Sequence, residues 1–528
     1  MAVVVSAPGK VLITGGYLVL EQPNIGLVLS TSARFYAIVK TIHETLAPDS
    51  WSWAWSDVKV SSPQLFKETN YKLSLRDYSL RNVAPRGSPQ IVKSIPVLRL
   101  CSEGGNPFVE NAVSMAVAVA AARASSSGAG SINPLLLQGL EITILGNNSF
   151  YSFRKQIEAQ QLPLTVETLT SLPEFSAITR NPTEVVSGDT NVLPEVAKTG
   201  LGSSAAMTAA VVAAVLQYLS DVKLPLHGSG QTDTVELRQH LDLVHAVSQA
   251  AHCAAQGKIG SGFDVSAAVY GSQRYVRFSP SVLASQEGSS RQTFVEKMRR
   301  LMIEEWDGER TPYGLPPHLT LIIGEPGYGG SHTPSLVGAV MKWRKANLPE
   351  RDEIWNSLAK ANLRVEAGLK LLNTLAQSVG KTYTTVLELC SILPVDQWQT
   401  IIDTTSEGKA VVEALLETRT AFETVRGLMR KMGEGAEVPL EPPVQTQLLD
   451  QTMSMNGVLF AGVPGAGGFD AVFAVTLGED ARNRVQEAWS SKGVLSLPIT
   501  EDPQGVSLEQ EDPRTSEVGS ALHAMSIN

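Results

Sequence analysis

The run Lys198-Thr-Gly-Leu-Gly-Ser-Ser-Ala-Ala206 leads directly into an alanine-rich segment. Glycines let a backbone come close to a ligand, and the free N–H groups at a helix start, reinforced by the helix dipole, form an anion site. Phosphate is the natural guest. Lys198, Gly200, Leu201, Gly202, Ser203, Ser204 and Ala205 would line it. Ser203 and Ser204 stand where a hydroxyl caps the helix, meets a phosphate oxygen or ligates Mg2+. Gly200-x-Gly202-x-x-Ala205 also fits the dinucleotide fingerprint, but Pro194-Glu-Val-Ala-Lys198 is a poor strand to precede it, so a nicotinamide enzyme is the weaker alternative. Gly380-Lys381-Thr382 ends like a P-loop, yet Leu375 occupies the place of the required first glycine.

Three further glycine loops carry polar residues. Ala7-Pro-Gly-Lys10 is followed by Gly15-Gly16-Tyr17, and Gly462-Val-Pro-Gly-Ala-Gly-Gly-Phe-Asp470 lies near the other end. Between them, Gly257-Lys-Ile-Gly-Ser-Gly-Phe-Asp264 places a carboxylate in a loop almost free of side chains. Taken singly, each loop reads as a turn, Lys10 as a solvated lysine, and Asp264 equally as a turn residue or a catalytic one. Gly330-Ser331-His332-Thr333, before a helical segment, is a second anion nest. Lys93, Lys198 and Lys258 could face an anion, and each also reads as a surface lysine. His245 and His252 share a helix face without an acid beside them, which favours packing over metal binding.

The elements that must position these residues alternate along the chain. Val3 to Val5 predicts a short strand closed by a turn at Ala7-Pro8-Gly9, and Ile25–Ser30 and Arg34–Lys40 predict two more. Trp51, Trp53 and Trp55 alternate as on one strand face. Val109–Ala122, Ser203–Leu219 and Thr234–Gln256 read as helices, Leu140–Leu145 as a strand, and Val265–Phe278 as one or two strands. Further on, Leu319–Ile323 is a strand, and helices follow at Leu336–Lys345, Glu353–Ala376 and Gly408–Met432. Gly457–Gly462 and Ala471–Leu477 read as strands around the late glycine loop, then a helix at Asp480–Ser490 and a strand at Val494–Pro498. Interleaved strands and helices give an α+β fold. A boundary in the polar stretch Ser279–Ser290 divides it into domains at 1–285 and 286–500, with 501–528 a poorly ordered tail.

Composition removes several function classes. The 528 residues carry 43 Lys+Arg against 52 Asp+Glu, a formal net charge of −9, which argues against a basic nucleic-acid binder. With 43% hydrophobic residues the chain is globular rather than disordered. Cys101, Cys253 and Cys390 are scattered and contain no C-x-x-C, so neither a disulfide framework nor a zinc ribbon is indicated. No secretory or transit leader is evident at the first residues, and the most membrane-like stretch, Ala205–Leu219, falls short of the ~20 apolar residues a span needs. A cytoplasmic protein is expected. A peroxisomal pool stays open, although Ser526-Ile-Asn528 differs from the S-K-L address.

Taken together and in this order, the A-P-G-K start, the G-L-G-S-S-A-A loop and the late G-x-G-G-x-D loop resemble the GHMP kinases over the whole chain. Within that family, Ala7 to Glu21, Lys198 to Ala206 and Gln256 to Val265 look most like the eukaryotic branch acting on 5-phosphomevalonate. The resemblance implies two domains, S5-like and ferredoxin-like, and transfer of the ATP γ-phosphate to 5-phosphomevalonate for isoprenoid and sterol synthesis. It implies Mg2+ with ATP as co-substrate, and neither nucleic acid, membrane nor obligate protein partner. The residues at 200–205 would wrap the phosphates and Ser204 would contact Mg2+. Lys10 and Asp264 would flank the migrating phosphoryl group. Tyr17, Lys258, Ser261, Ser331, His332, Thr333 and Gly467 would face the acceptor. Several relatives place a second Mg2+-ligating Glu on the helix before the catalytic Asp. Here that stretch is His252-Cys-Ala-Ala-Gln256, so the second ligand is unassigned. A kinase of the mevalonate branch and a catalytically silent metabolite sensor are the competing readings.

Overall fold

The structure is a computed structural model that describes residues 2–43, 55–83, 105–127, 131–178, 198–229, 234–284, 294–327, 333–346, 349–403 and 406–515. Its first layer is a nine-stranded sheet with path order β13-β1-β2-β6-β3-β4-β5, where β7 joins β2 and β8 joins β7. The strands are β1 (Val3–Thr14), β2 (Ile25–Thr41), β3 (Trp55–Ser62), β4 (Lys67–Ser74), β5 (Leu80–Asn82), β6 (Leu140–Gly146), β7 (Gln273–Val276), β8 (Glu309–Pro312) and β13 (Ser507–Leu508). Among the described strands β3 and β6 pair in parallel, and Leu508 of β13 makes an isolated parallel bridge to Leu226.

Two expectations about this sheet need correction. β1 does not stop at Ala7-Pro8-Gly9 but continues to Thr14, breaking step with β2 between Pro8 and Lys10. Proline donates no ladder hydrogen bond and is tolerated at such a break, so the motif bends the strand without ending it. β2 is likewise one strand of seventeen residues, buried through Ser30, Thr31 and Ala33 where a gap was expected.

α1 (Pro107–Ser127) and α3 (Val235–Gln256) pack on α2 (Ser203–Leu219), and α2 and α4 (Phe263–Tyr270) pack on the sheet. Alanine-rich α2 packs against β1 and β2, with twelve of its seventeen residues buried. Small side chains bring this helix close to the strands, so its N-terminus is fixed in place. α4 replaces an expected strand. Val265 to Val269 are buried without interruption, and left-handed Gly262 and Gly271 (φ +81° and +86°) bracket the helix.

The second layer is a four-stranded sheet ordered β10-β11-β9-β12, all antiparallel, from β9 (Leu319–Glu325), β10 (Val458–Gly462), β11 (Val472–Leu477) and β12 (Leu495–Ser496). Beside it stand α5 (Thr333–Arg344), α6 (Pro349–Ser378), α7 (Gly380–Ile392), α8 (Ser406–Gly435), α9 (Pro443–Met453) and α10 (Glu479–Ser491). α6 and α8 pack along each other. α7 and α9 have no counterpart among the expected elements; the P-loop-like Gly380-Lys381-Thr382 is the ordinary start of α7. Among the described residues no helix is long and apolar enough to cross a membrane.

The chain crosses between layers later than expected, because β8 still belongs to the first sheet and the second begins at Leu319. Nor is the segment after Glu501 a loose tail as far as residue 515. β13 pairs with β1, and Asp502 N donates to Ser30 O at 3.0 Å. Arg34 on β2, 1% exposed, donates to Ser6 Oγ (2.6 Å), Asp502 Oδ2 (3.0 Å) and Gly505 O (2.5 Å). A buried guanidinium requires such partners, and it is the anchor that holds this late segment against the first sheet. Trp51, Trp53, Cys101 and residues 516–528 lie outside the described residues.

Removing one partner of a buried ion pair leaves the other uncompensated, at about 3–5 kcal/mol. Arg34→Ala is therefore expected to lower stability by about that amount. Urea unfolding that left the midpoint where it is in the wild type would refute this anchor.

Candidate active site

Gly200 and Gly202 both adopt left-handed backbone (φ +79° and +78°), which side-chain-bearing residues avoid. Gly202 caps α2, and the N–H groups of Ala205 and Ala206 fold back to Gly202 O at 3.1 and 3.2 Å. The N–H groups of Ser203 and Ser204 precede the first helical hydrogen bond and have no carbonyl within the helix to serve. These donors, the dipole and two half-buried hydroxyls form the expected anion-binding mouth.

Lys10 enters this mouth from β1. Its backbone N–H donates to Leu201 O at 2.9 Å and its Nζ to Gly200 O at 3.0 Å, so main chain and side chain both fasten the strand to the loop. A β-carbon on Gly202 would lie 2.9 Å from Lys10 Cε. The ammonium also stands 5.6 Å over the Phe263 ring. Burial pushes the Lys10 pKa below the ordinary lysine value, while the Asp264 charge pulls it back up.

Asp264 is the second residue of α4, behind a loop of defined shape. Any side chain on Gly262 would collide with Phe278, Gln249 and Tyr275. Tyr275 OH donates to Ser261 O at 2.8 Å, and Arg277 donates to Gly260 O (2.7 Å), Ile259 O (3.2 Å) and Leu20 O (2.6 Å). Arg277 thus ties the Asp264 loop to the segment after Tyr17. Sequence reasoning missed it, and the only available cue is that a glycine loop leaves carbonyls in need of donors.

The late glycine loop closes the mouth from the second layer. Gly465 N donates to Leu12 O at 3.3 Å, Gly16 leaves no room for a β-carbon against Gly465 O (2.5 Å), and Gly200 faces Ala471. Tyr17, expected at the acceptor, is 3% exposed and commits its hydroxyl to Ala466 O at 2.7 Å, joining the layers instead. Gly467 is demanded by packing, since a β-carbon would meet Leu440 O at 2.1 Å, and Gly468 N donates to that oxygen at 2.8 Å. The adjacent Glu441 is buried between Arg426 (2.7 Å) and Arg430 (2.7 Å), which holds this support rigid.

Ser204 Oγ lies 3.1 Å from His252 Nε2, on the last turn of α3. Burial lowers the His252 pKa, with Asp264 opposing. His245, seven residues earlier, is packed between Tyr270 (5.2 Å) and Trp306 (5.0 Å), and burial pushes its pKa down to about 3. The two histidines do not form a metal pair, because seven residues separate them by about 10 Å along the helix. Lys198 and Lys258 are exposed, Lys198 bridging to Tyr151 by backbone pairing. Ser261 is half-buried beside the Asp264 loop. Thr333 opens α5, while Lys93, Ser331 and His332 lie outside the described residues.

Two layers whose glycine loops converge on a lysine and an aspartate define the class: family models for the GHMP kinase N-terminal domain and C-terminal region match residues 185–272 and 411–495. The chain is 51% identical to "Phosphomevalonate kinase, peroxisomal" of Arabidopsis thaliana over the full length of both. It is 33% identical to the Aspergillus fumigatus phosphomevalonate kinase, covering 92% of this chain and 90% of that one. The chain belongs to the GHMP kinases, in the phosphomevalonate kinase family. Its fold is shared with Streptococcus pneumoniae phosphomevalonate kinase, solved in complex with phosphomevalonate and AMPPNP, at a TM-score of 0.53 and 13% identity over 95% of this chain and 100% of that chain.

Gly202→Ala adds a methyl group against Lys10 Cε and forces a side chain into left-handed backbone, a strain of about 1–2 kcal/mol. Steady-state assay is expected to show kcat reduced by about tenfold or more, since displacement of a positioned group is amplified in rate. Wild-type kcat would contradict the tight fit of lysine and loop.

Proposed function

We propose that this chain transfers the γ-phosphate of ATP to 5-phosphomevalonate, yielding 5-diphosphomevalonate and ADP. The observation that carries the reading is the Lys10 ammonium, held 3.0 Å from Gly200 O at the head of the anion-binding loop and within the field of Asp264. A family of phosphomevalonate kinases supplies the acceptor.

Phosphoryl transfer leaves the protein to position the reactants and to stabilise spreading negative charge. In this reading the N–H groups of Ser203 and Ser204 receive nucleotide phosphates, and Lys10 faces the transferred group. Lys10 has few competing partners: one carbonyl, an aromatic face and one carboxylate. The late loop, seated on Leu12 and Tyr17, excludes water from one side. Ser261, Lys258, Ser331, His332 and Thr333 are proposed to meet the acceptor's anionic groups.

The residues present fit Mg2+. The Ser204 hydroxyl is a hard oxygen donor at the mouth, and no group of three His, Cys, Asp or Glu gathers among the described residues, which suits an ion completing its shell with phosphate oxygens and water. When bound, Mg2+ would supply positive charge against the nucleotide phosphates. Ser204 would hold it, with Asp264 the nearby carboxylate acting on the Ser204–His252 pair.

The acceptor is a phosphomonoester whose second ionisation falls at about pH 6, so it is already mostly a dianion at neutral pH. Asp264 then has little proton to remove, and its task is to orient Lys10 and the acceptor. The name of the Arabidopsis relative adds peroxisomal residence to the cytosolic one in this reading.

An ADP-release assay with Mg-ATP is expected to show turnover with 5-phosphomevalonate and none with mevalonate; turnover with mevalonate alone would transfer the chain to the mevalonate branch. Asp264→Asn is expected to lower kcat by about 100-fold or more through lost charge positioning. Its pH profile should keep an acid limb near the acceptor's second ionisation, at about pH 6. Loss in that variant of a second acid limb, separate from the acceptor's, would identify Asp264 as a proton acceptor and overturn its orienting role.

A further inference from the structure

We propose that His252 is a positioning residue for the Mg-nucleotide: its imidazole accepts a hydrogen bond from the Ser204 hydroxyl and so turns the Oγ lone pairs toward the mouth of the phosphate loop. The inference rests on the phosphate-loop reading above and deepens it. His252 is 3% exposed, and its Nε2 lies 3.1 Å from Ser204 Oγ. Phe108 packs tilted against the ring, at 5.2 Å and 44°, which restricts how that ring can turn.

A serine hydroxyl has one proton and two lone pairs, so the partner that takes the proton decides what the lone pairs face. Serines in a helix ordinarily return the proton to the carbonyl four residues earlier. Ser204 is the second residue of α2, so the helix provides it no such carbonyl: Gly200 O lies in the left-handed loop before the cap and serves Lys10 Nζ at 3.0 Å. The backbone carbonyl of Ser204 is itself occupied by Thr208 Oγ1 at 2.8 Å. His252 Nε2 is the acceptor left in place. With the ring proton on Nδ1, Nε2 accepts, and both Oγ lone pairs remain for a cation. With the opposite tautomer His252 would donate, the hydroxyl proton would face outward, and Ser204 would serve a phosphate oxygen directly.

The two arrangements separate in the dependence of nucleotide affinity on Mg2+. ADP binding to the full chain is measured by calorimetry with Mg2+ and with EDTA, for wild type, His252→Phe, His252→Gln, Ser204→Ala and the Ser204→Ala/His252→Phe double variant. Phenylalanine keeps the packing on Phe108 and removes the acceptor; glutamine restores an acceptor oxygen near the Nε2 position. His252→Phe is expected to weaken ADP binding about tenfold with Mg2+, the size of one hydrogen bond, and to leave it unchanged in EDTA. His252→Gln recovers most of the loss. The double variant binds like Ser204→Ala alone, because residues acting through one contact do not add. Equal losses with and without Mg2+, or losses that multiply in the double variant, overturn the proposal. So does a Ser204→Ala variant that loses the Mg2+ effect while His252→Phe keeps it, in which case the phosphate-loop reading survives. If Ser204→Ala itself keeps the full Mg2+ effect, that reading of Ser204 fails and the proposal falls with it. Melting curves without nucleotide check folding, and His252→Leu, which also lacks an acceptor, carries the comparison if the phenylalanine variant unfolds.

Discussion

An ammonium withdrawn from water is costly unless it is met by oppositely charged or polar atoms, and Lys10 is met by only a few. Gly200 O, the Asp264 charge and the face of Phe263 are its surroundings, and the balance still leaves its proton held less tightly than on an ordinary lysine. Much of the first layer serves that placement. β1 has to bend at Pro8 without ending, α2 has to pack closely enough on β1 to bring its capping glycines beside the lysine, and the first turn of α4 has to carry Asp264. A phosphate dianion brought to this point supplies the counter-charge that the protein withholds.

The second layer joins this arrangement mainly through backbone rather than through charge. Gly16 and Gly465 come together because neither carries a side chain, and Tyr17 fixes the contact from the first layer. Glu441, clamped by two arginines, stiffens the segment on which Gly467 and Gly468 rest. Away from the mouth, Thr14 bonds Asn362 and Arg274 pairs with Glu366 at 2.8 Å, so strand ends of one layer are tied to α6 of the other. Closure of the mouth is thus built from neutral contacts, leaving Lys10 free to answer the ligand.

Much of this is legible in the sequence, and the reasons differ by element. The phosphate loop can be read because glycine, serine and an alanine-rich run state their backbone geometry locally; α2 begins and ends where the spacing predicts. Lys10 and Asp264 can be named only through the family resemblance, since each alone looks like a surface residue. The groups that surround them come from segments far away in the chain. α4 reads wrongly as strand because a short buried run of Val, Ser and Ala carries no period that separates helix from strand. The return of residues 501–515 is hidden for another reason: the polarity that suggests a tail is what Arg34 requires as partners. Arg277 and the Ser204–His252 contact depend on side chains meeting across three segments, which spacing along one of them does not encode.

The state of Lys10 in the free protein is the quantity on which this chemistry turns. An NMR titration following the Lys10 side-chain 13Cε and 15Nζ signals, assigned by comparison with Lys10→Arg, measures it directly. The expected result is a pKa below the ordinary lysine value of about 10.4, rising once Mg-ADP and the phosphorylated acceptor are bound. An ordinary value in the free protein, unmoved by the ligands, would contradict the role given to this ammonium.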